Sequence, residues 1–208
     1  MEKRGILLVV SGFSGAGKGT LMKELLRRYE NYALSVSATT RKPREGEEEG
    51  REYFFKTREE FERMIADGEL IEHACYVGNY YGTPKAYVEQ KLCEGQDVIL
   101  EIEIQGARKV KEQFPDTVLL FVSPPGADEL KRRLTKRGTE SPEVIANRLN
   151  RAVQEAEGIE DYDYFVINDD LDACVEYVHR IVQCEHSRTS RCGEQIENIR
   201  RELTAFSK

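Results

Sequence analysis

Lys18 closes a glycine-rich stretch, residues 9–20 (VVSGFSGAGKGT), whose residue types and spacing suit the holding of a polyphosphate. Gly12, Gly15 and Gly17 permit the tight backbone path that turns successive N–H groups inward as an anion cradle. A helix expected from about residue 18 to 29 aims its positive N-terminal end at the same point. Lys18 adds a mobile charge within reach of β- and γ-phosphates. Gly12, Phe13, Ser14, Gly15, Ala16, Gly17, Lys18, Gly19 and Thr20 therefore form the candidate nucleoside triphosphate site. The plain alternative is an ordinary turn between strand and helix. The order strand, loop, lysine, amphipathic helix argues against it. The usual spacing G-x-x-x-x-G-K-[ST] is met at Gly12, Gly17 and Lys18, but Gly19 occupies the hydroxyl position and Thr20 comes one place late. A loop hydroxyl is thus not expected to ligate Mg²⁺ directly, and phosphate oxygens and water are expected to fill most of its shell.

Residues 37–53 (SATTRKPREGEEEGREY) gather Ser37, Arg41, Arg44 and Tyr53. Two arginines on a proline-stiffened loop can present forked donors to one phosphate, and a tyrosine hydroxyl is a natural third donor. Residues 70–83 (LIEHACYVGNYYGT) bring Glu72, Tyr81 and Thr83 together on an extended segment. One region could then hold a monophosphate at one end and offer a carboxylate at the other. Composition alone favours a solvated charged loop here. If the strand alternates, His73 points away from Glu72 and is expected to be a satisfied structural histidine.

Strands and helices alternate along the chain as in a doubly wound α/β fold, and this alternation must position those residues. The run from Ile6 to Val10 suits a buried parallel strand. Residues 32–41 and 51–57 are read as further strands. Thr57 with Glu60 makes a capping box before the next helix. Thr83 is read as the N-cap, with Pro84 at the first position, of a helix reaching about Cys93. Residues 97–104 (DVILEIEI) read as a buried strand carrying Glu101 and Glu103 near its end, followed by a helix over 106–113 and a strand over 117–122. Pro124-Pro125-Gly126 opens a helix that stops at Gly138, and Ser141-Pro142 opens a second. This helical hairpin carries Arg132, Arg133, Arg137, Arg148 and Arg151. Residues 163–168 form the last strand, LDACVEYVHRIVQ the last core helix, and the tail ends in a short helix.

A chain of 208 residues suits one α/β domain with insertions. Its net charge of −7 argues against a generic nucleic-acid binder, which needs a basic excess. No apolar run is long enough to span a membrane, and residues 1–12 do not resemble a signal peptide. The five cysteines form no C-x-x-C pair and read as reduced thiols in a cytoplasmic protein, without zinc.

The stretches SGFSGAGKGT, SVSATTRKPREGE, GREYFF, LIEHACYVGNYYGTP, IQG, SPP, RLTKRGTE, NRL and INDDL occur in one order between residue 6 and about 171. In this the chain resembles the guanylate kinase family. The resemblance implies ATP + GMP ⇌ ADP + GDP on a P-loop NTPase core, with a parallel sheet flanked by helices, an inserted α+β lobe for GMP and a helical lid. It divides the chain into a core of residues 1–34 and 95–185, with the lid at about 126–155, a GMP lobe of residues 35–94, and a tail helix in 186–208. Carried over by position, Arg41, Arg44, Tyr53 and Tyr81 hold the GMP phosphate, while Ser37, Glu72 and Thr83 face guanine with Glu103 nearby. A carboxylate suits guanine because N1–H and N2–H₂ stand side by side, whereas adenine presents an acceptor at N1.

The resemblance further implies that Lys18, Arg44, Arg137 and Arg148 act on the transferring phosphoryl group, and that Asn168 contacts adenine. For Asn168 a simple turn role is an equal alternative. Arg132, Arg133 and Arg151 read instead as helix-surface ion pairs. The family commonly has Asp-x-Asp where this chain has Glu101-Ile102-Glu103, so Glu101 is at most an outer-sphere Mg²⁺ partner. Two other readings remain open. One is a kinase-like interaction module, against which the intact Gly12, Gly17 and Lys18 count. The other is a P-loop kinase for another small phosphate acceptor, against which Glu72 counts. Whether the chain is a monomer or a homo-oligomer is not readable from the sequence.

Overall fold

Short strands rich in Val, Leu and Ile stack side by side at the centre of the molecule, a computed structural model that describes residues 4–76, 78–136 and 141–206. They are β1 (Leu7–Gly12), β2 (Tyr32–Leu34), β7 (Asp97–Glu101), β8 (Val118–Ser123) and β9 (Tyr164–Ile167), in the order β2-β7-β1-β8-β9. Every pairing among them is parallel. Both faces must then be covered, which explains apolar runs without alternation. On one face α1 (Lys18–Arg28) and α7 (Leu171–His186) pack Leu21, Leu25, Val175, Val178 and Val182 against Leu8 and Val10. On the other, α3 (Lys85–Cys93) and α4 (Ile104–Gln113) pack Val88, Leu92, Ala107 and Val110 against Val9 and Leu100.

A second, four-stranded sheet has the order β4-β3-β6-β5, built from β3 (Ser37–Thr39), β4 (Tyr53–Phe55), β5 (Leu70–Tyr76) and β6 (Asn79–Pro84). One side of it is closed by α2 (Arg58–Ala66), with Phe61, Ala38 and Leu70 buried together. The capping box expected at Thr57 and Glu60 starts that helix. α5 (Ala127–Lys136) and α6 (Pro142–Ala156) form the arginine-bearing hairpin, joined through Leu130, Leu134 and Ala152. Ser141 caps α6 as expected. The tail forms α8 (Gly193–Thr204), none of whose residues is buried.

Several expected boundaries move, each because a partner strand or a hydrogen bond decides the matter. The strand expected over 32–41 is two strands in two sheets: β2 pairs with β7, and after a break at residues 35–36 β3 pairs with β4 and β6. Residues 70–83 are a hairpin rather than one extended segment, turning near Gly78 with φ +76°. Thr83 belongs to β6, and Pro84 takes the cap position of α3 without a side-chain bond. The strand expected over 97–104 ends at Glu101, where pairing with β1 reaches Val10. Beyond it Ser11 Oγ donates to the Ile102 carbonyl at 2.7 Å, and α4 begins at Ile104.

At the start of β7, Asp97 is 1% exposed. It accepts from the Ile6 amide (2.8 Å), Asn31 Nδ2 (2.9 Å) and His186 Nε2 (2.8 Å), tying β1, β2's approach and α7 to one carboxylate. His73 is exposed, so the satisfied structural role expected of it is not what the fold gives it.

Candidate active site

The loop between β1 and α1 is held open by its glycines. Gly12, Gly15 and Gly17 take φ of 148°, 97° and 91°, a region that side-chain-bearing residues rarely enter. Gly17 caps α1 without any side-chain bond, so no side chain competes for the first-turn amides, which face the loop's concavity. Lys18 Nζ donates to the carbonyls of Gly12 (2.7 Å) and Phe13 (3.1 Å), folded against the loop it would leave for a phosphate. Burial lowers the Lys18 pKa from its ordinary value, and Glu101, Glu155 and Glu103 pull it back up. Ala16 is buried, while Gly19 and Thr20 are exposed at the start of α1. A side chain at Gly19 would meet nothing, so the missing hydroxyl there is a matter of chemistry and not of space.

The loop opens into a cleft of about 380 Å³ lined by Gly12, Ser14, Lys18, Glu101, Ile102 and Glu103 on one side and Arg148, Arg151 and Glu155 of α6 on the other. Partial desolvation in the cleft pushes the carboxyls of the exposed Glu101 and the half-buried Glu155 up, against the Lys18 charge and, at Glu155, first that of Arg151. Glu103 stands at the cap of α4 and meets Arg151 at 2.5 Å, facing this cleft and not Glu72. Arg151 also bonds Glu155 at 3.2 Å. Arg137 lies outside the described residues. Among the described residues no set of three or more His, Cys, Asp or Glu could cage a metal. The donors facing the cleft are carboxylate oxygens, the chemistry that suits Mg²⁺ shared with phosphates and water.

Asn168 is 6% exposed at the end of β9. Its Nδ2 donates to the Ala16 carbonyl at 2.8 Å, bracing the loop from behind. Arg133, read from sequence as a surface arginine, joins the same brace: it donates to Glu129 (2.6 Å), the Asn168 carbonyl (2.9 Å) and the Ala16 carbonyl (3.3 Å). The signal was present in Leu130 and Leu134, whose burial turns this side of α5 toward the loop. Among the described residues, Arg132 pairs with Glu129, as a surface residue would.

Strand register gathers the second group of residues. Ser37 lies opposite Tyr53, Thr39 opposite Tyr81, and Ala74 opposite Tyr81. Directly opposed residues share a face, so Ser37, Tyr53, Tyr81, Thr83 and Glu72 lie on the side of the small sheet away from α2. The Arg41 guanidinium stacks over the Tyr53 ring at 5.2 Å, and Tyr53 meets Tyr81 edge-on at 6.0 Å. Glu47, which the sequence reading passed over, accepts from Arg41 Nη2 and from the Arg44 amide, each at 2.8 Å. It fixes the loop so that both arginines start from one place. Those bonds hold the Glu47 carboxyl below its ordinary pKa and raise that of Arg41. The Arg44 side chain is exposed.

Glu72 Oε1 accepts from the Thr83 hydroxyl at 2.9 Å, and Thr83 is only 1% exposed. The hydroxyl read as a helix cap is thus a partner of the carboxylate. Burial pushes the Glu72 carboxyl up, with Thr83 and then Lys109 acting in the other direction. α4 joins the two halves: its start lines the cleft beside Lys18, and Gly106 in its first turn adjoins Glu72.

Comparison with known proteins points one way. The family model described as guanylate kinase matches residues 4–185. A guanylate kinase of Lactococcus lactis is 51% identical over 195 residues, covering 94% of this chain and 95% of the relative. One of Oceanobacillus iheyensis is 50% identical over 199 residues, covering 96% and 97%. Among solved structures, a crystal structure of guanylate kinase from Anaplasma phagocytophilum superposes with a TM-score of 0.70 at 37% identity, covering 91% of this chain and 90% of that one.

Proposed function

The chain belongs to the guanylate kinase family, whose members transfer a phosphoryl group from ATP to GMP, and we propose the following roles for its residues in that reaction. The loop amides of residues 12–20 and Lys18 bind the ATP phosphates and follow the charge that moves onto ADP as the terminal bond breaks. Arg41, Arg44, Tyr53 and Tyr81 hold the GMP phosphate. Glu72 accepts from guanine N1–H and N2–H₂, with Thr83 fixing its orientation and Ser37 beside it. An already anionic phosphate needs no strong base to attack, so rate comes from alignment and charge neutralisation. Arg148, and Arg137 on the other arm, close over the transferring group as lid arginines.

Asn168 acts on the ATP side by holding the loop's shape, and Glu103 acts through Arg151 and not through the nucleobase. Glu101 would hold Mg²⁺ as an outer-sphere partner, and the ion would supply neutralisation of phosphate charge when bound with ATP. Residues 35–84 form the acceptor lobe, whereas α3, counted with that lobe from the sequence, packs on the core sheet through Val88 and Leu92; residues 126–155 form the lid, and the remainder of 1–185 the core. No helix among the described residues is long and apolar enough to cross a membrane, and we place the enzyme in the cytoplasm with small nucleotides as its partners.

The observation that carries the reading is the half-buried Glu72 carboxylate, bonded to Thr83 on the face that also holds Arg41, Tyr53 and Tyr81. A guanine edge leaves no donor unpaired there, whereas adenine would leave the carboxylate facing an acceptor. ADP formation from ATP and Mg²⁺ is measured with GMP, AMP, CMP and UMP offered separately. Turnover with GMP alone is the expected result. Equal turnover with another acceptor would overturn the guanine site, and GMP binding without turnover would favour an interaction module.

A further inference from the structure

Gly106 is an odd residue for its place. It sits in the first turn of α4 and its φ is not positive, so the backbone there does not require glycine. In a helix, glycine is less favourable than alanine. What glycine supplies at this point is space. A methyl group on Gly106 would stand 3.2 Å from Ile102 Cδ1 and 3.7 Å from Glu72 Oε2. The first neighbour is the free end of a flexible side chain, which can rotate away. The second is the carboxylate oxygen opposite the one bonded to Thr83.

We propose that Gly106 is a specificity-determining residue for the acceptor, an opening through which the exocyclic 2-amino group of a purine reaches Glu72 Oε2. An N–H donor must come to about 2.9 Å from that oxygen. A methyl group on the α4 side fills part of the arc from which such a donor approaches. The N1–H of the base, aimed nearer Oε1 and Thr83, is less obstructed. The opening therefore acts on the amino group, which separates GMP from IMP, the analogue that keeps N1–H and lacks the 2-amino group. This inference rests on the reading of Glu72 as the guanine partner.

The test compares full-length wild type with Gly106→Ala, using kcat and KM for GMP and IMP, KM for ATP, and the melting temperature. Gly106→Ala is expected to lower kcat/KM for GMP by about tenfold or more, the worth of one hydrogen bond to a charged group. The loss appears in KM for GMP, while IMP changes by less than about threefold and the wild-type preference for GMP shrinks accordingly. KM for ATP stays unchanged, and the melting temperature is unchanged or raised because alanine favours the helix. Ile102→Val combined with Gly106→Ala removes the 3.2 Å neighbour while keeping the methyl beside Glu72, so poor folding of the single variant does not end the test. An equal fall for GMP and IMP, or kinetics matching wild type, would overturn the proposal. Glu72→Ala separates the two levels. If it leaves the GMP-to-IMP preference intact, the Glu72 reading itself fails; if it abolishes the preference while Gly106→Ala does not alter it, only the role of Gly106 fails.

Discussion

Glu72→Gln should make the protein more stable at neutral pH while nearly abolishing its use of GMP. Both signs follow from the geometry. The Glu72 carboxyl is pushed above its ordinary 4.5 by burial, which outweighs the Thr83 bond and the Lys109 charge. The folded state therefore binds this proton more tightly than the unfolded chain does. Stability contributed by the group is complete below the unfolded value and is lost as pH rises through the folded one. At neutral pH the fold carries the cost of a partly desolvated carboxylate, and glutamine removes that cost while its carbonyl can still accept from Thr83. Toward guanine the change runs the other way. Glutamine loses the charge and presents an amide N–H₂ to a donor edge, so two hydrogen bonds to a charged acceptor are weakened or lost. At about 1.5–3 kcal/mol each, the combined loss is about 3–6 kcal/mol, or about 10²–10⁴ in kcat/KM for GMP. Thermal melts at neutral and acid pH, with steady-state kinetics on the same preparations, read both effects. The variant should melt above wild type at neutral pH, with the gap closing as pH falls toward the ordinary carboxyl range. A variant that melts lower at neutral pH, or keeps GMP kcat/KM within about threefold of wild type, refutes the reasoning.

Other perturbations act at separate points of the structure. Lys18→Met should cut turnover by about 10³-fold or more. In the wild type the active form is the protonated amine, which burial makes easier to deprotonate, so kcat/KM for ATP should fall on an alkaline limb centred below the ordinary lysine value of 10.5. A limb at or above that value speaks against the assignment. Gly17→Ala places a Cβ 2.7 Å from Asn168 Nδ2 at a φ of +91°. It should raise KM for ATP sharply while leaving calorimetric GMP binding near wild type. Asp97→Asn breaks the buried junction of Ile6, Asn31 and His186, and should cost about 3 kcal/mol in denaturant unfolding with KM values unchanged.

What could be read from the sequence was chiefly what is local. The phosphate loop is specified by three glycines and a lysine within seven residues, and no distant contact alters their meaning. The same holds for the caps at Thr57 and Ser141. Reading failed where a second strand or helix decides. Residues 32–41 carry one uninterrupted strand pattern, and only the separate partners of β2 and β3 divide it. Ile102 and Ile104 extend the apolar run of β7, yet β1 offers no further register and the chain turns into α4. Thr83 has the look of a helix cap by position, but a half-buried carboxylate one strand away claims its hydroxyl. Glu47 and Arg133 act by reaching backbone carbonyls and amides, partners that no spacing rule in a single sequence announces.

The placement of α4 bears on how the two substrates are made to meet. An enzyme that binds them on separate sheets must fix the distance between them, and a mobile surface loop could not do so to the tolerance that phosphoryl transfer requires. α4 is packed into the core through Ala107 and Val110, so its N-terminal turn is a rigid point. On one side of that turn Glu103 and Ile104 line the triphosphate cleft, and on the other Gly106 adjoins Glu72. A shift of this turn moves the wall of both subsites together. Substitutions that loosen α4 from the core, such as Val110→Ala, should therefore raise KM for both substrates and lower kcat as well, although Val110 is buried in the core and touches neither nucleotide. If KM for only one substrate responded, the two halves would be positioned independently, and the common wall would be a packing coincidence.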